Sequence, residues 1–303
     1  MRSQTFRKEK SMKKTKHVGR GILCRLLAAA VACVLFAGSL AVGASAQGVE
    51  FPKGSTPTKV YLEGEEVLSG DCVIIDSITY VPLRKFCNLF ANCSITWNAK
   101  TSTATVKTAD LSMTVQQNAV YIVANGHYFY TVGRVLNLGG HLYVPIRPLA
   151  KAFSEKLVWN AQARRVELTA DGPVRAVAWA NYDEDELYWL SRIISAESKG
   201  EPFLGQIAVG NVVLNRVRHS AYPNTIYGVI FDRKHGTQFS PVSFGTIYQT
   251  PTESSVIAAK ICLEGYSISD SALFFLNPRI ATNNWIVKNR PYDFTIGNHD
   301  FYK

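Results

Sequence analysis

The sequence lacks the short cysteine and histidine motifs that build most metal and thiol-redox sites. Its six cysteines include no Cys-x-x-Cys pair, so nothing supports a zinc ribbon or a thioredoxin-like protein. Its six histidines show no His-Glu-x-x-His spacing, and a catalytic zinc site needs about three His or carboxylate ligands. We therefore expect no metal and no cofactor.

Acidic residues are almost missing from the first 46 positions. That segment holds nine Lys or Arg against one acid, Glu9, whereas the whole chain has a formal charge of +10. The rest of the chain therefore carries a net charge near +2. A strongly basic surface is the usual electrostatic signature of nucleic-acid binding. Because the chain after residue 46 is close to neutral, we expect no nucleic-acid partner.

The basic segment has the order of a secretory signal. An apolar run from Leu26 to Val42 follows it, and Ala44-Ser45-Ala46 then forms a small-residue cleavage site. The alternative is a retained membrane anchor, since the run has about the minimum length that spans a bilayer. We predict residues 1–46 to be a signal peptide, with only transient membrane contact and a secreted or cell-wall-associated product.

Four cysteines lie outside the signal segment. Export permits disulfides, and Cys72, Cys87 and Cys93 lie close enough in sequence for one bridge among them. Cys262, between Ile261 and Leu263, is expected to be an inert buried thiol.

An internal repeat occupies residues 47–170. TYVPLR at 79–84 recurs as LYVPIR at 142–147, and WNA at 97–99 recurs at 159–161. Each copy predicts a strand, a proline that opens a short helix, a strand carrying Trp, a turn and a second strand. The apolar face of the first helix is expected to hold Leu83, Phe86, Leu89 and Phe90.

These repeated motifs resemble the copper amine oxidase N-terminal-like (stalk) domain of exported bacterial proteins. The resemblance implies an accessory module and possible cell-wall contact through residues 47–170. It does not imply copper, because His127 and His141 have no cysteine or carboxylate at ligand spacing. Residues 171–182 begin with Gly172-Pro173 and are predicted to be a linker, with docking on a neighbouring surface as the alternative.

One carboxylate, Glu197, lies on the apolar face of a predicted helix. The helix starts with an acidic turn, 183–186, which suits its positive end. Leu187, Leu190, Ile194 and Glu197 fall within an arc of roughly 80° on it. Gly200 and Pro202 then break the helix, so Glu197 lies near its end. There the carboxyl is partly surrounded by apolar side chains, which raises its pKa. This suits a general acid.

Position alone leaves other interpretations open. Glu197 could form an ordinary salt bridge with Arg192 or Lys199. Glu201 is a competing carboxylate, although its place before Pro202 favours a role at the start of the next helix.

The segment WLSRIISAESKGEPFLGQIAVGNVVLNRVR (189–218), with YPNT (222–225), QFSP (238–241) and IGNH (296–299), resembles SleB-type cell-wall hydrolases, which include spore-cortex-lytic enzymes. The resemblance implies an α+β chain in which a small, mainly helical, lysozyme-like domain, residues 183–303, follows the repeats. It places the catalytic acid on Glu197. It also suggests substrate contacts by Gln238, Phe239, Asn277 and Trp285, with Glu201 and His299 as secondary candidates. The alternative for Phe239 and Trp285 is that their side chains are buried in the core. The alternative for Asn277 is that it only forms a turn.

The expected substrate is the glycan strand of peptidoglycan, in spore cortex or vegetative wall. Hydrolysis usually needs two carboxylates, and no evident second one follows Glu197. A lytic transglycosylase needs only one, because a hydroxyl of the sugar itself attacks. We therefore predict that reaction, with an N-acetylmuramoyl-L-alanine amidase or a non-catalytic wall-binding protein as the alternatives.

Overall fold

The fold is taken from a computed structural model, which describes residues 49–303 except Ala91, His235 and Thr237. The predicted signal peptide, residues 1–46, lies outside the described residues. Within the described part of the chain, no helix is long and apolar enough to cross a membrane. A strand-rich part, residues 56–170, precedes a helical part, residues 184–303.

The elements follow the order expected for an α+β chain. The strands are β1 (Thr56–Leu62), β2 (Glu65–Ile75), β3 (Ile78–Pro82), β4 (Ser94–Asn98), β5 (Thr103–Lys107), β6 (Ser112–Gln116), β7 (Tyr121–Ala124), β8 (His127–Tyr130), β9 (Leu136–Leu138), β10 (His141–Pro145), β11 (Glu155–Asn160), β12 (Arg165–Ala170), β13 (Phe274–Leu276), β14 (Tyr292–Ile296) and β15 (His299–Tyr302). The helices are α1 (Leu83–Cys87), α2 (Ile146–Ala152), α3 (Glu184–Ser198), α4 (Phe203–Arg218), α5 (Ile226–Phe231), α6 (Ser240–Phe244), α7 (Glu253–Leu263) and α8 (Trp285–Asn289).

The two repeats meet in one seven-stranded sheet of order β11-β12-β1-β2-β3-β10-β9. Strand β3 of the first copy pairs antiparallel with β10 of the second, so that Tyr80 faces Pro145 and Pro82 faces Tyr143. A five-stranded sheet, β4 to β8, completes the strand-rich part, and β13-β15-β14 form a small sheet in the helical part. The repeated motifs are therefore structurally equivalent elements that contact each other.

Both repeat units have the predicted strand, proline, helix and Trp-bearing strand. The first helix is shorter than expected: α1 ends at Cys87, so Leu89 and Phe90 follow it in a turn. Phe90 still packs on the core, because its ring stacks on Phe153 at 4.8 Å between centroids. The apolar pattern thus identified buried positions correctly but overestimated the length of the helix.

The cysteines do not form the bridge that their spacing in the sequence allows. Cys72, Cys87, Cys93 and Cys262 are all free thiols. The Sγ of Cys93 donates a hydrogen bond to the carbonyl oxygen of Cys87 at 3.2 Å instead of bonding to a second sulfur. Burial raises the pKa of Cys72 to about 12, so this thiol stays protonated. Cys262 is buried, as predicted.

The segment 171–182 lies along the strand-rich part. Val177 N donates to Ala152 O at 2.9 Å, and the Nδ2 of Asn125 donates to Val177 O at 2.7 Å. Ala180 N donates to Asn125 O at 2.8 Å. Hydrogen bonds at both edges of the segment fix its path, so it docks on a neighbouring surface, which was the alternative to a free linker.

A polar cluster joins the strand-rich part to the helical part. The Nδ1 of His127 lies 2.7 Å from the Oε1 of Glu264, and the Tyr182 hydroxyl donates to the same oxygen at 2.5 Å. Next to it, the rings of Tyr130 and Tyr266 are 4.4 Å apart. These contacts engage the Glu264 carboxylate within the protein.

In the helical part, α4 passes close to both α3 and α7 at Gly210. A Cβ at Gly210 would lie 2.7 Å from the Sγ of Cys262 and 2.8 Å from the Cδ1 of Ile194. These two side chains fill the space that a side chain at Gly210 would need. The contact holds α3 in place, and α3 carries Glu197.

We expect Gly210→Val to lower the free energy of unfolding by about 3 kcal/mol, because overpacking of a core forces neighbouring side chains out of their rotamers. Denaturant unfolding of the purified protein measures this change. Gly200→Val is the matched control, since no atom lies within 4 Å of a Cβ there. Equal stability of the two variants would show that Gly210 is not a close contact.

Candidate active site

Helix α3 positions Glu197 at the edge of the core. Its N-cap, Asp183, accepts a hydrogen bond from Glu186 N at 2.9 Å, and this fixes the predicted start of the helix. Ile193 and Ile194 are fully buried, four and three residues before Glu197. Residues at these spacings share a helix face, so the Glu197 carboxyl is directed towards the core.

Burial dominates the electrostatics of Glu197. It raises the pKa of this carboxyl to about 7, and the positive charge of Arg216 partly offsets the rise. Glu197 is half-buried, and no described residue forms a hydrogen bond or an ion pair with it. Near neutral pH such a carboxyl exists in both protonation states, which a group acting first as acid and then as base requires.

The salt-bridge alternatives for Glu197 are not formed. Arg192 instead donates from its Nη1 to Tyr188 O at 3.4 Å, and its guanidinium lies 3.5 Å from the centroid of the Tyr188 ring. Lys199 is exposed and caps the C-terminus of α3 through its backbone N–H. The proton of Glu197 is therefore not already committed to a neighbouring side chain.

Arg216 is a charged residue of the site that the sequence did not reveal. Its side chain is 5% exposed, and its Nε donates to Leu273 O at 2.7 Å. The rings of Phe239, Tyr222 and Phe274 lie 5.0, 5.2 and 5.5 Å from the guanidinium carbon. Its Nη1 has no hydrogen-bond partner among the described residues. A fixed cation thus lies near Glu197.

The predicted substrate contacts are differently placed. Phe239 is 2% exposed and lies against Arg216. It is therefore a core residue, as the alternative interpretation expected. Trp285 is 47% exposed, with Arg290 at 5.1 Å from its ring, so it can contact an external ligand. Sequence motifs therefore grouped a buried aromatic side chain with an accessible one.

The two polar candidates lie in turns. The Nε2 of Gln238 donates to Gly236 O at 3.1 Å, and its side chain is half-buried. The Oδ1 of Asn277 accepts from Arg279 N at 3.0 Å, which is the bond of an Asx turn and matches the turn alternative. A role for either side chain in substrate binding stays a prediction.

Both carboxylate oxygens of Glu201 accept hydrogen bonds from Asn298, in the turn between β14 and β15. Its Oε2 accepts from Asn298 N at 2.8 Å, and its Oε1 accepts from the Nδ2 of Asn298 at 3.0 Å. Burial acts to raise the pKa of Glu201, but the two hydrogen bonds from Asn298 and the nearby His299 together lower it by more, so the pKa lies below its ordinary value. At neutral pH Glu201 is a carboxylate, which is unsuitable as a proton donor.

We expect Glu201→Gln to lower the free energy of unfolding by about 1–3 kcal/mol, because an amide offers one acceptor to the two donors of Asn298. The rate of peptidoglycan lysis at a temperature where the variant is folded should change less than about threefold. Thermal unfolding and lysis assays measure the two quantities. A loss of lysis as large as that of a Glu197 variant would assign the proton transfer to Glu201 instead.

The described histidines of the helical part do not form a metal-binding cluster. His299 is 7% exposed between Phe275 and Phe301, and burial lowers its pKa. His219 is exposed, and its Nδ1 accepts a hydrogen bond from Ala221 N at 3.1 Å. His235 lies outside the described residues. Within the part of the chain that is described, no group of three His, Cys, Asp or Glu could hold a metal ion.

The fold and the site together define a two-part protein: a repeated strand-helix-strand part, followed by a mainly helical part whose half-buried Glu197 forms no hydrogen bond or ion pair with a described residue. Residues 200–302 match the family model described as Cell Wall Hydrolase, and residues 61–168 match the copper amine oxidase N-terminal domain. The chain therefore carries a cell wall hydrolase domain behind a copper amine oxidase N-terminal domain. Glu197 lies just before the start of the first match.

Known proteins resemble the helical part. A spore cortex-lytic enzyme of Bacillus cereus is 39% identical over 122 residues, which are 40% of this chain and 46% of the relative. Another, from Bacillus subtilis strain 168, is 35% identical over 120 residues, 40% of this chain and 38% of the relative. The chain thus spans less than half the length of these two curated relatives.

A solved structure also matches. The catalytic domain of the germination-specific lytic transglycosylase SleB from Bacillus anthracis is 39% identical to this chain, with a TM-score of 0.37. The match covers 41% of this chain and 98% of that one.

Proposed function

We propose that this protein is an exported enzyme that degrades peptidoglycan by cleaving its glycan strands, as a lytic transglycosylase with Glu197 as its single catalytic acid and base. The observation that carries the proposal is the Glu197 carboxyl, which is half-buried, forms no hydrogen bond or ion pair with a described residue, and lies near the charge of Arg216. The cell wall hydrolase domain and the spore cortex-lytic relatives support the choice of substrate.

The reaction needs one proton shuttle. The protonated Glu197 donates its proton to the glycosidic oxygen, and the bond from that oxygen to the anomeric carbon breaks. A hydroxyl of the same muramoyl sugar then attacks the anomeric carbon and forms an internal anhydro ring. Its proton returns to Glu197. Atoms and charge balance without water, and Glu197 ends as it began.

A hydrolytic mechanism would place a second carboxylate within about 5–9.5 Å of the first. Such a negative charge would raise the pKa of Glu197 further. Among the described residues, the only charged group that shifts this pKa is Arg216, and its effect is in the opposite direction. This favours the single-acid reaction over hydrolysis.

Arg216 has a defined part in this scheme. After Glu197 gives up its proton, a carboxylate remains in an apolar setting that disfavours the charge. The nearby guanidinium is already desolvated and fixed by Leu273 O and three aromatic rings, so it stabilises that carboxylate without rearrangement. Arg216 is a positioning residue that limits how far burial can raise the pKa.

The location follows from the substrate. We propose that residues 1–46 direct export, and that the enzyme then remains secreted or associated with the cell wall or spore cortex. The copper amine oxidase N-terminal domain would contact the wall beside the catalytic part. Transient passage through the membrane by the signal segment is the only membrane contact in this proposal.

Digestion of purified peptidoglycan sacculi, with the fragments identified by mass, tests this function. We expect glycan fragments that retain their stem peptides and end in anhydro-muramoyl groups. Free stem peptides would instead assign an N-acetylmuramoyl-L-alanine amidase. Intact sacculi after prolonged incubation would assign a wall-binding protein without activity.

A further inference from the structure

Two grooves lined mainly by the strand-rich part are related by the internal repeat. They have volumes of about 480 and 540 Å³, and neither contains Glu197. We name them groove A, lined by Pro82, Arg84 and Trp97 among others, and groove B, lined by Pro145, Arg147 and Trp159 among others. Each residue of the first set is the repeat equivalent of one in the second set.

Each groove presents a tryptophan to solvent. Trp97 is 50% exposed on β4, and Trp159 is 37% exposed on β11. One exposed aromatic side chain needs no explanation, but the same one in both copies of a repeat, inside a groove, indicates a shared use. An aromatic face of this kind packs well against the apolar C–H face of a sugar ring.

Each groove also has an arginine without a partner. Arg84 and Arg147 are exposed, and neither guanidinium forms an ion pair or a hydrogen bond with a described residue. An unpaired guanidinium offers a planar fork of N–H donors that fits a carboxylate. The combination of an aromatic face and a free cation therefore fits a sugar polymer that carries carboxylates.

The carboxylates in the two grooves are already engaged. In groove A, Asp71 forms an ion pair with Lys85. In groove B, Glu264 contacts His127 and accepts from Tyr182. Neither is therefore free to neutralise the neighbouring arginine.

We propose that grooves A and B are two equivalent binding sites for peptidoglycan, in which a sugar ring stacks on Trp97 or Trp159 and a stem-peptide carboxylate binds Arg84 or Arg147. The choice of peptidoglycan over other acidic glycans rests on the proposed function. Two sites on the same chain bind the same insoluble polymer together, so their affinities combine. They hold the catalytic part on its substrate between cleavage events.

Sedimentation with purified sacculi, stripped of other polymers, tests the sites. All proteins are full-length and carry Glu197→Gln, so that the sacculi stay intact during the measurement. We expect Trp97→Ala or Trp159→Ala to weaken binding about tenfold, and the double variant about 100-fold. Trp179→Ala is the matched control, since Trp179 is 69% exposed and lines neither groove.

The arginines are tested separately. The pair Arg84→Gln and Arg147→Gln is expected to weaken binding to sacculi about 100-fold, whereas the exposed Arg164→Gln leaves it unchanged. Binding to chitin, an uncharged polymer of N-acetylglucosamine, should be weak and insensitive to the arginine variants. Equally tight binding to chitin would overturn the requirement for a carboxylate.

The inference as a whole is overturned if both double variants are folded, by thermal unfolding, and bind sacculi as tightly as their parent. If the double tryptophan variant does not fold, binding by the double arginine variant alone decides whether the inference holds. Lysis is measured separately on proteins with an intact Glu197. A chain that lyses sacculi but binds without the grooves refutes only this inference, and a chain that binds through the grooves without lysis refutes only the proposed function.

Discussion

Glu197→Gln is expected to lower the rate of peptidoglycan lysis about 1,000-fold, the range in which removal of a general acid falls. The amide has nearly the same size and hydrogen-bonding reach, but it cannot donate the proton that the leaving oxygen needs. Because no described residue forms a hydrogen bond or an ion pair with the Glu197 carboxyl, its replacement breaks no such bond within the described part of the chain. Release of soluble fragments from purified sacculi measures the effect.

Glu186→Gln is the matched control, because Glu186 lies on the same helix but is exposed in its first turn. We expect this variant to lyse sacculi at the parent rate. A Glu197→Gln protein that is folded and fully lytic would remove the basis of the proposed mechanism.

The second large effect is the dependence of the lysis rate on pH. Burial raises the pKa of Glu197 from its ordinary value of 4.5 to about 7, and the protonated form is the one that reacts first. The active fraction is therefore complete well below pH 7 and falls as pH rises through 7. Between pH 7 and pH 9 the rate should fall about 50-fold.

The variant Arg216→Met tests whether the fall in rate above pH 7, the alkaline limb of the pH profile, is due to Glu197. The positive charge of Arg216 lowers the pKa of Glu197, so its loss should move the limb to higher pH, provided that the variant is folded. His219→Gln removes an exposed imidazole and should leave the pH dependence unchanged. A rate that stays constant from pH 5 to pH 9 would contradict a raised carboxyl pKa.

Local patterns in the sequence were sufficient to place Glu197. The acidic turn before it predicted the start of α3, and Gly200 and Pro202 predicted its end. The spacing of Ile194 and Glu197 predicted an inward direction, which the half-buried carboxyl agrees with. These features depend on a few consecutive residues, so they can be read without knowledge of the fold.

Arg216 could not be placed in the same way. A basic residue in the last turn of a helix is normally solvated, because it complements the helix dipole there. One signal was available: Val209, Val212 and Arg216 share a face of α4, and both valines are fully buried. Its position near Glu197 nevertheless depends on how α3 packs on α4, a contact between helices that sequence periodicity does not specify.

The sheet pairings show the same limit. The repeat predicted two equivalent units, but the pairing of β3 with β10, and the parallel contact of β1 with β12, join residues far apart in the chain. Grooves A and B arise from that assembly, so the exposed Trp97 and Trp159 read in sequence as ordinary strand residues. The disulfide that the cysteine spacing allowed is absent for a related reason, since closeness in sequence does not orient two sulfurs.

The most direct test of the single-acid mechanism is digestion of sacculi in water labelled with oxygen-18. Because a hydroxyl of the sugar closes the ring, we predict unlabelled anhydro-muramoyl ends that appear with the parent protein and not with Glu197→Gln. Reducing ends that contain oxygen-18 would show that water attacks the anomeric carbon, and this would contradict the assignment of Glu197 as the sole acid and base.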